Sequence, residues 1–285
     1  MKIFTRTTLG LVLLVAWGWS QDEKTVFDES YKVRGNLELS LRADGGDVQI
    51  LANDKNECKV YVEYEKERCR LDVVHNERNR TLSIDVDHRN WSMMKSGKSG
   101  KNDYALIKIA LPYKSDLDLD VYLKAGKIDL QLGDLYINQL KLKSWAGETK
   151  LDFSRANRTE LRTFDVNCKV GEVKLLHLGN ANFREADING SVGEMLIDFT
   201  GEKIKRAMTR LDMEIGSTTV IVPEEAAVKL KVNKFLFLSN VDYPSWFQQE
   251  GDYYYSKDYK DKDESLYVIA STGIGELKVR VAKSD

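Results

Sequence analysis

Seven segments of the chain share one frame built on a glycine, and this repeat restricts the possible folds more than any other feature. Aligned on the glycine they read Gly46-Asp-Val-Gln-Ile-Leu-Ala, Gly126-Lys-Ile-Asp-Leu-Gln-Leu, Gly147-Glu-Thr-Lys-Leu-Asp-Phe, Gly171-Glu-Val-Lys-Leu-Leu-His, Gly193-Glu-Met-Leu-Ile-Asp-Phe, Gly216-Ser-Thr-Thr-Val-Ile-Val and Gly275-Glu-Leu-Lys-Val-Arg-Val. Positions +2, +4 and +6 point one way. The alternation continues upstream at −7 and −5, as in Leu39/Leu41, Leu119/Val121, Leu140/Leu142, Phe164/Val166 and Ala186/Ile188. Period-two apolar alternation marks strands with one buried face, and the glycine supplies the backbone freedom that a tight bend needs. Each unit is therefore strand, bend, strand. The central glycines 126, 147, 171, 193 and 216 follow one another at intervals of 21 to 24 residues, a solenoid period. One such unit cannot bury its apolar face alone, so the frame predicts an all-β, single-domain β-solenoid.

The frame assigns two reactive residues to packing. Cys168 stands at −3, where other units carry Ala43, Ser144, Gly190 and Thr272, which predicts a small group in a narrow part of the core. His177 stands at +6, where others carry Leu132, Phe153, Phe199, Val222 and Val281, which predicts a buried or rim histidine with a hydrogen-bond partner. No serine or cysteine nucleophile recurs beside it. Pro112 and Pro223 each precede a new alternating run, Leu117–Val121 and Val228–Val232, and are expected to mark corners that lead into new coils.

Between Gly46 and Pro112 the frame lapses. Strands are expected near Cys58–Tyr64, Arg70–Val74, Thr81–Asp87 and Tyr104–Leu111, with a polar loop over Ser92–Asn102. The turn at Glu65-Lys66-Glu67 would place Cys58 opposite a residue near His75, so no disulfide between Cys58 and Cys69 is expected.

The first twenty residues have the form of a secretory signal: Lys2 and Arg6, an apolar run from Leu9 to Trp19, then Gly18 and Ser20 before Gln21. The apolar run is about half the length of a membrane span. The expected organisation is a signal peptide over 1–20, a β-rich part with the first coil over 21–112, and solenoid repeats over 113–285 with an aromatic cap at 233–265, one continuous domain. The mature protein is expected to be exported, to the periplasm or the cell surface. With 43 Lys+Arg against 45 Asp+Glu, nothing electrostatic favours nucleic acid as a partner.

Catalysis on a β-helix needs acids or bases clustered on one face of adjacent coils, and the outward positions +3 and +5 show no acidic ladder. Glu148, Glu172, Glu194 and Glu276 recur at +1; stacked glutamates suit a hard cation, but a solvated edge that blocks aggregation explains them as well. Three histidines and three cysteines show no metal-ligand spacing, and no cofactor is expected. The segment outside the frame is aromatic: Tyr243, Trp246, Phe247, Tyr253, Tyr254, Tyr255 and Tyr259. It is expected to cap the open end of the stack, with a partner-contact platform as the competing role.

Several of these pieces resemble the toast-rack and adhesin-type β-repeat families of bacterial envelope proteins. They are Leu39-x-Leu41 with Gly46-Asp-Val-Gln-Ile50, the Ile109-Ala-Leu-Pro112 corner leading to Leu117-x-Leu119, and Tyr254-Tyr-Ser256 before Gly273-Ile-Gly275-Glu-Leu-Lys-Val279. The resemblance implies a right-handed β-helix-like fold and an envelope location, and carries over no catalytic residue. The function expected is a non-catalytic, adhesin-like or envelope-stress-associated interaction scaffold, with an envelope protein or glycan as partner. A polysaccharide-acting enzyme and a structural spacer are the alternatives.

Overall fold

The seven central glycines stand opposite one another in a single ladder, Gly46–Gly126–Gly147–Gly171–Gly193–Gly216–Gly275. The computed structural model describes residues 24–89, 105–202, 204–234, 239–256, 259 and 265–282. The expected signal peptide, the Ser92–Asn102 loop and Tyr104 lie outside them. From Gly126 to Gly275 each glycine of the ladder has φ between +131° and +144°, and a Cβ on it would lie 1.8–2.0 Å from the carbonyl oxygen of the glycine beneath. No side chain fits there in any rotamer.

The long strands that carry the ladder are β2 (Asn36–Asn53), β7 (Asp116–Gln131), β8 (Tyr136–Asp152), β9 (Thr163–Leu176), β10 (Glu185–Asp198), β11 (Ala207–Val222) and β16 (Ser265–Val281). They pair in parallel. Alternation changes phase at the glycine. Before it, −7, −5 and −3 are buried, and after it +2 and +4 are buried, so the two arms of each strand close on one core. The phase change turns position −1 outward, leaving Val170, Val192, Ile215 and Ile274 about half exposed. Connectors form a third wall, with Leu135, Phe153, Leu161, Leu178, Phe183 and Phe199 buried. Their backbones stack coil on coil through Leu132 N to Asp152 O (2.9 Å), Phe153 N to Leu176 O (3.1 Å) and Phe199 N to Ile221 O (2.9 Å). The β-solenoid is thus built from strand, bend, strand and connector, as the repeat predicts.

At +6 one coil carries the expected histidine at the rim. His177 adopts φ 54° and turns to the rim, where its Nδ1 lies 2.8 Å from Asp152 Oδ1, while the next residue, Leu178, fills the core place.

The N-terminal end also departs from expectation. The sheet order runs β1 (Lys24–Lys32), β3 (Glu57–Glu65), β6 (Ala105–Pro112), β2 and then the repeats. β4 (Cys69–Asn76) pairs with β5 (Thr81–His88), which pairs with the first arm of β2. Cys58 therefore faces Tyr31, and Cys69 faces His88. The expected hairpin across residues 65–67 does not form, because the bend in β2 presents two edges on two walls and each needs its own cover. The chain crosses between walls at that turn instead.

At the other end β12 (Ala227–Lys234) and β13 (Ser239–Asp242) extend the two arms of β16, and β12 starts a new coil after Pro223. In space β16 lies between β11 and β12.

Cys58, Cys69 and Cys168 are buried and free. Burial pushes the Cys58 thiol up to about 12 and the Cys168 thiol up to about 11. A folded pKa raised above the ordinary 9.0 adds stability that is present below that value and is lost as pH rises through the folded one. The denaturant midpoint is expected to fall above pH 9, and a thiol reagent at pH 8 should leave Cys58 and Cys168 unlabelled until denaturant is added. Fast labelling of the native protein would contradict this.

Candidate functional site

The aromatic segment folds into a hairpin of β14 (Gln248–Glu250) and β15 (Tyr253–Tyr255), which pairs antiparallel with β12 and closes the stack. Period two then divides its tyrosines between two faces. Tyr254, opposite Leu230, points into the core at 2% exposure. Its ring centroid lies 4.5 Å from that of Tyr243, and Phe247 is buried beside Trp246, at 4.7 Å. Ser256 clamps the hairpin to the last coil, its Oγ accepting from Val228 N (2.8 Å) and donating to Ala226 O (3.4 Å). This half of the segment is a cap. The edge it leaves, β14, is three exposed polar residues, which discourages further strand addition.

Tyr253 and Tyr255 point outward, half-buried, with ring centroids 6.2 Å apart and planes at 25°. Lys229 Nζ lies 4.6 Å from the Tyr253 centroid, 5.8 Å from Tyr255 and 4.9 Å from Tyr267 of β16. Lys231 Nζ lies 5.8 Å from Tyr253, and Tyr259 packs 5.4 Å from Tyr255. Cation–π attraction holds the two lysines over the rings. Burial raises the Tyr267 phenol above its ordinary value, so it remains a neutral donor. Trp246, 42% exposed, packs on Phe247 at the margin of the cap. The segment therefore caps the stack with one face and presents Tyr253 and Tyr255 on the other.

A second feature adjoins the platform on the same outward face. Two and four residues beyond Lys229 and Tyr267 the alternation brings out Lys231 and Ile269, then Asn233 and Ser271. Ser271 stands opposite Asp212, Asp212 opposite Asn189, and Asn189 opposite Asn167. This row lines a groove of about 670 Å³ with Lys169, Ser191 and Glu214 along its side. Asn233 Nδ2 donates weakly to Ser271 Oγ (3.4 Å), and Ser191 Oγ to Glu214 Oε1 (3.3 Å). Gly190 adds no side chain to the groove wall; a Cβ there would lie 2.7 Å from Met195 Cε.

Rings that offer flat apolar faces, next to a row of amide, carboxylate and hydroxyl groups, suit a ligand with C–H faces and many hydroxyls. Sequence reasoning found the tyrosines but missed Lys229, Lys231, Tyr267 and the groove. The groove was readable: in the glycine frame Asn167, Asn189, Asp212 and Ser271 all occupy −4, an outward place.

Three of the four glutamates at +1 take lysine partners, Glu148 with Lys127 (2.9 Å), Glu172 with Lys174 (2.5 Å) and the half-buried Glu276 with Lys278 (2.6 Å), and Glu194 is exposed. Among the described residues no group of three or more His, Cys, Asp or Glu could hold a metal ion, and no helix there is long and apolar enough to cross a membrane.

Residues 19–176 match the family described as the N-terminal domain of toast_rack, DUF2154. The chain belongs to the toast-rack family. The match ends at Leu176, so most of the candidate face of this toast-rack protein lies beyond it. No curated protein matches the chain. Among solved structures it is similar to a candidate cell-adhesion protein from Clostridium sporogenes, at 17% identity over 90% of this chain and 100% of the other, TM-score 0.46. It is also similar to a candidate adhesin from Bacteroides fragilis, at 14% identity over 90% of this chain and 98% of the other, TM-score 0.39.

Proposed function

We propose that this toast-rack protein is an exported, non-catalytic, adhesin-like scaffold of the cell envelope that binds a glycan on the outward face of its C-terminal coils. The observation that carries this reading is the continuity of the Tyr253–Lys229–Tyr255–Tyr267 cluster with the amide-lined groove on one face of the sheet. Tyrosine faces stack on sugar rings while Asn167, Asn189, Asp212 and Asn233 bond hydroxyls, and a binding scaffold needs no nucleophile beside them. The row crosses successive strands at about 4.8 Å intervals, which gives an extended chain of sugars a repeating set of contacts. The signal-like residues 1–20 support export, which N-terminal sequencing of the secreted form would check by finding Gln21 first.

The test is a glycan array probed with purified protein, its hits measured by calorimetry. Tyr253→Ala with Tyr255→Ala is expected to weaken binding by roughly tenfold or more while leaving the melting temperature nearly unchanged. Tyr254→Ala instead destabilises the cap by about 3 kcal/mol, as loss of a buried aromatic ring does. An array with no retained glycan, or a double variant that binds as well as the parent, rules the reading out.

A further inference from the structure

The opposite end of the stack holds a second cavity of different chemistry. It measures about 390 Å³ and lies where the link from β1 to β2 meets the turn between β4 and β5. Lys32, Arg34, Arg78 and Arg80 line it with His75, and Glu77 is the one acid among its lining residues. The whole chain is near charge balance, at −2, so four cations against one carboxylate is a local concentration. Lys32, Arg34 and Arg78 make no ion pair among the described residues, and Arg80 Nη1 donates to the neutral Asn36 Oδ1. The positive charge is left for something else.

Both walls of the cavity are fixed. On the link, Val33 N donates to Asn56 O (3.2 Å) and Asn56 Nδ2 donates to Val33 O (3.0 Å). On the turn, Glu38 N donates to Arg80 O (3.0 Å) and Asn79 N to Asn76 Oδ1 (3.0 Å), with Arg80 held at φ 59°. His75 is seated by Tyr31, whose ring centroid is 4.8 Å away. Arg34 on the link and Arg78 and Arg80 on the turn line the cavity from two sides, and forked guanidinium donors from different directions serve a tetrahedral oxyanion better than a two-oxygen carboxylate.

We infer that the cavity bounded by Lys32, Arg34, Arg78 and Arg80 binds a phosphoryl group, carried by a soluble phosphate compound or by an anionic lipid headgroup. The cluster stands outside the repeat frame, and Arg34 and Arg78 are exposed rather than part of the core. It is independent of the glycan face at the far end.

The experiment titrates purified protein with inorganic phosphate by calorimetry, and in a second arm with phosphatidylglycerol vesicles against phosphatidylcholine vesicles by co-sedimentation. Variants are Arg34→Gln, Arg78→Gln and their combination, with Lys141→Gln/Lys143→Gln as a control that removes equal charge from another surface. Saturable phosphate binding, weakened roughly tenfold per arginine removed and unaffected in the control, supports the site with a soluble ligand. Binding to phosphatidylglycerol vesicles alone, lost in the double variant and kept in the control, supports it with a lipid ligand. Binding in neither arm, or equal binding by parent and double variant, or equal loss in the control, overturns it.

Discussion

Gly171→Ala is expected to cost about 4–5 kcal/mol or more, in the range reserved for backbone clashes and gross core damage. The added Cβ would lie 1.9 Å from Gly147 O and 2.9 Å from the Gly147 carbonyl carbon, and both neighbours are backbone. Rotation of a side chain cannot relieve it. The residue's φ of +135° is also closed to any L side chain with a Cβ. In a stack where each coil touches only its neighbours, a lesion at the fourth rung uncouples the coils on either side. Denaturant unfolding of the variant should split or shift far to lower concentration, with loss of strand signal in circular dichroism. Gly251→Ala is the control: its φ is +62° but nothing lies within 4 Å of a Cβ there, so about 1 kcal/mol is expected. If Gly171→Ala were as stable as Gly251→Ala, the glycine ladder would not be what sets the spacing of the coils.

Asn157→Ala is expected to cost about 3 kcal/mol, chiefly through orphaned backbone groups. This asparagine is 2% exposed in the connector between β8 and β9. Its Oδ1 accepts from Ile137 N (2.9 Å), and its Nδ2 faces Ile137 O (2.9 Å), Thr159 O (2.9 Å) and Ala181 O (3.2 Å). One side chain thus joins the start of β8, its own connector and the connector that follows β9. The coil above repeats the device with Asn180, whose Nδ2 donates to Phe153 O (3.0 Å) and whose Oδ1 accepts from Glu202 N (2.9 Å). Truncation at 157 strands a buried N–H, which costs more than the hydrogen bond itself contributes. Asn157→Asp separates this from packing: the shape is kept, but a carboxylate would face three carbonyl oxygens. Chemical denaturation should rank it at least as unstable as the alanine variant, and near-parental stability for Asp would refute the hydrogen-bond account.

The solenoid was legible because a repeated strand has only two sequence requirements, alternation along each arm and a residue without a Cβ at the bend. Both leave a mark in every copy, and the registers from Gly46 to Gly275 follow from them directly. What was not legible is what happens once per chain. The covering of β2 by separate strands on two walls depends on which edge each later segment meets, and Cys58 and Cys69 carry no sign of that choice. The rim place and hydrogen bond of His177 were expected, but its positive φ and the replacement of its core place by Leu178 were not. Asn157 looked like one more polar connector residue, since its value lies in carbonyls contributed by Ile137 and Ala181. At the candidate face the aromatic cluster stood out by composition, whereas Lys229 and Tyr267 became part of it only through the pairing of β12 with β16.

The position of β16 between β11 and β12 has a consequence for biosynthesis. Chain order places β12, β13 and the capping hairpin ahead of β16 on the ribosome, yet β12 and β13 cannot join the stack until β16 supplies the edge they pair with, and the hairpin is attached to β12. During synthesis β11 ends in a bare parallel edge, and β12 with its tyrosines trails from it unpaired. The last long strand therefore acts as a completion signal: a polypeptide released before about residue 265 would lack Tyr267 and Ser271 and leave Lys229 with no strand to stand on, so the candidate face would be incomplete, and its open edge would mark it for proteolysis or aggregation.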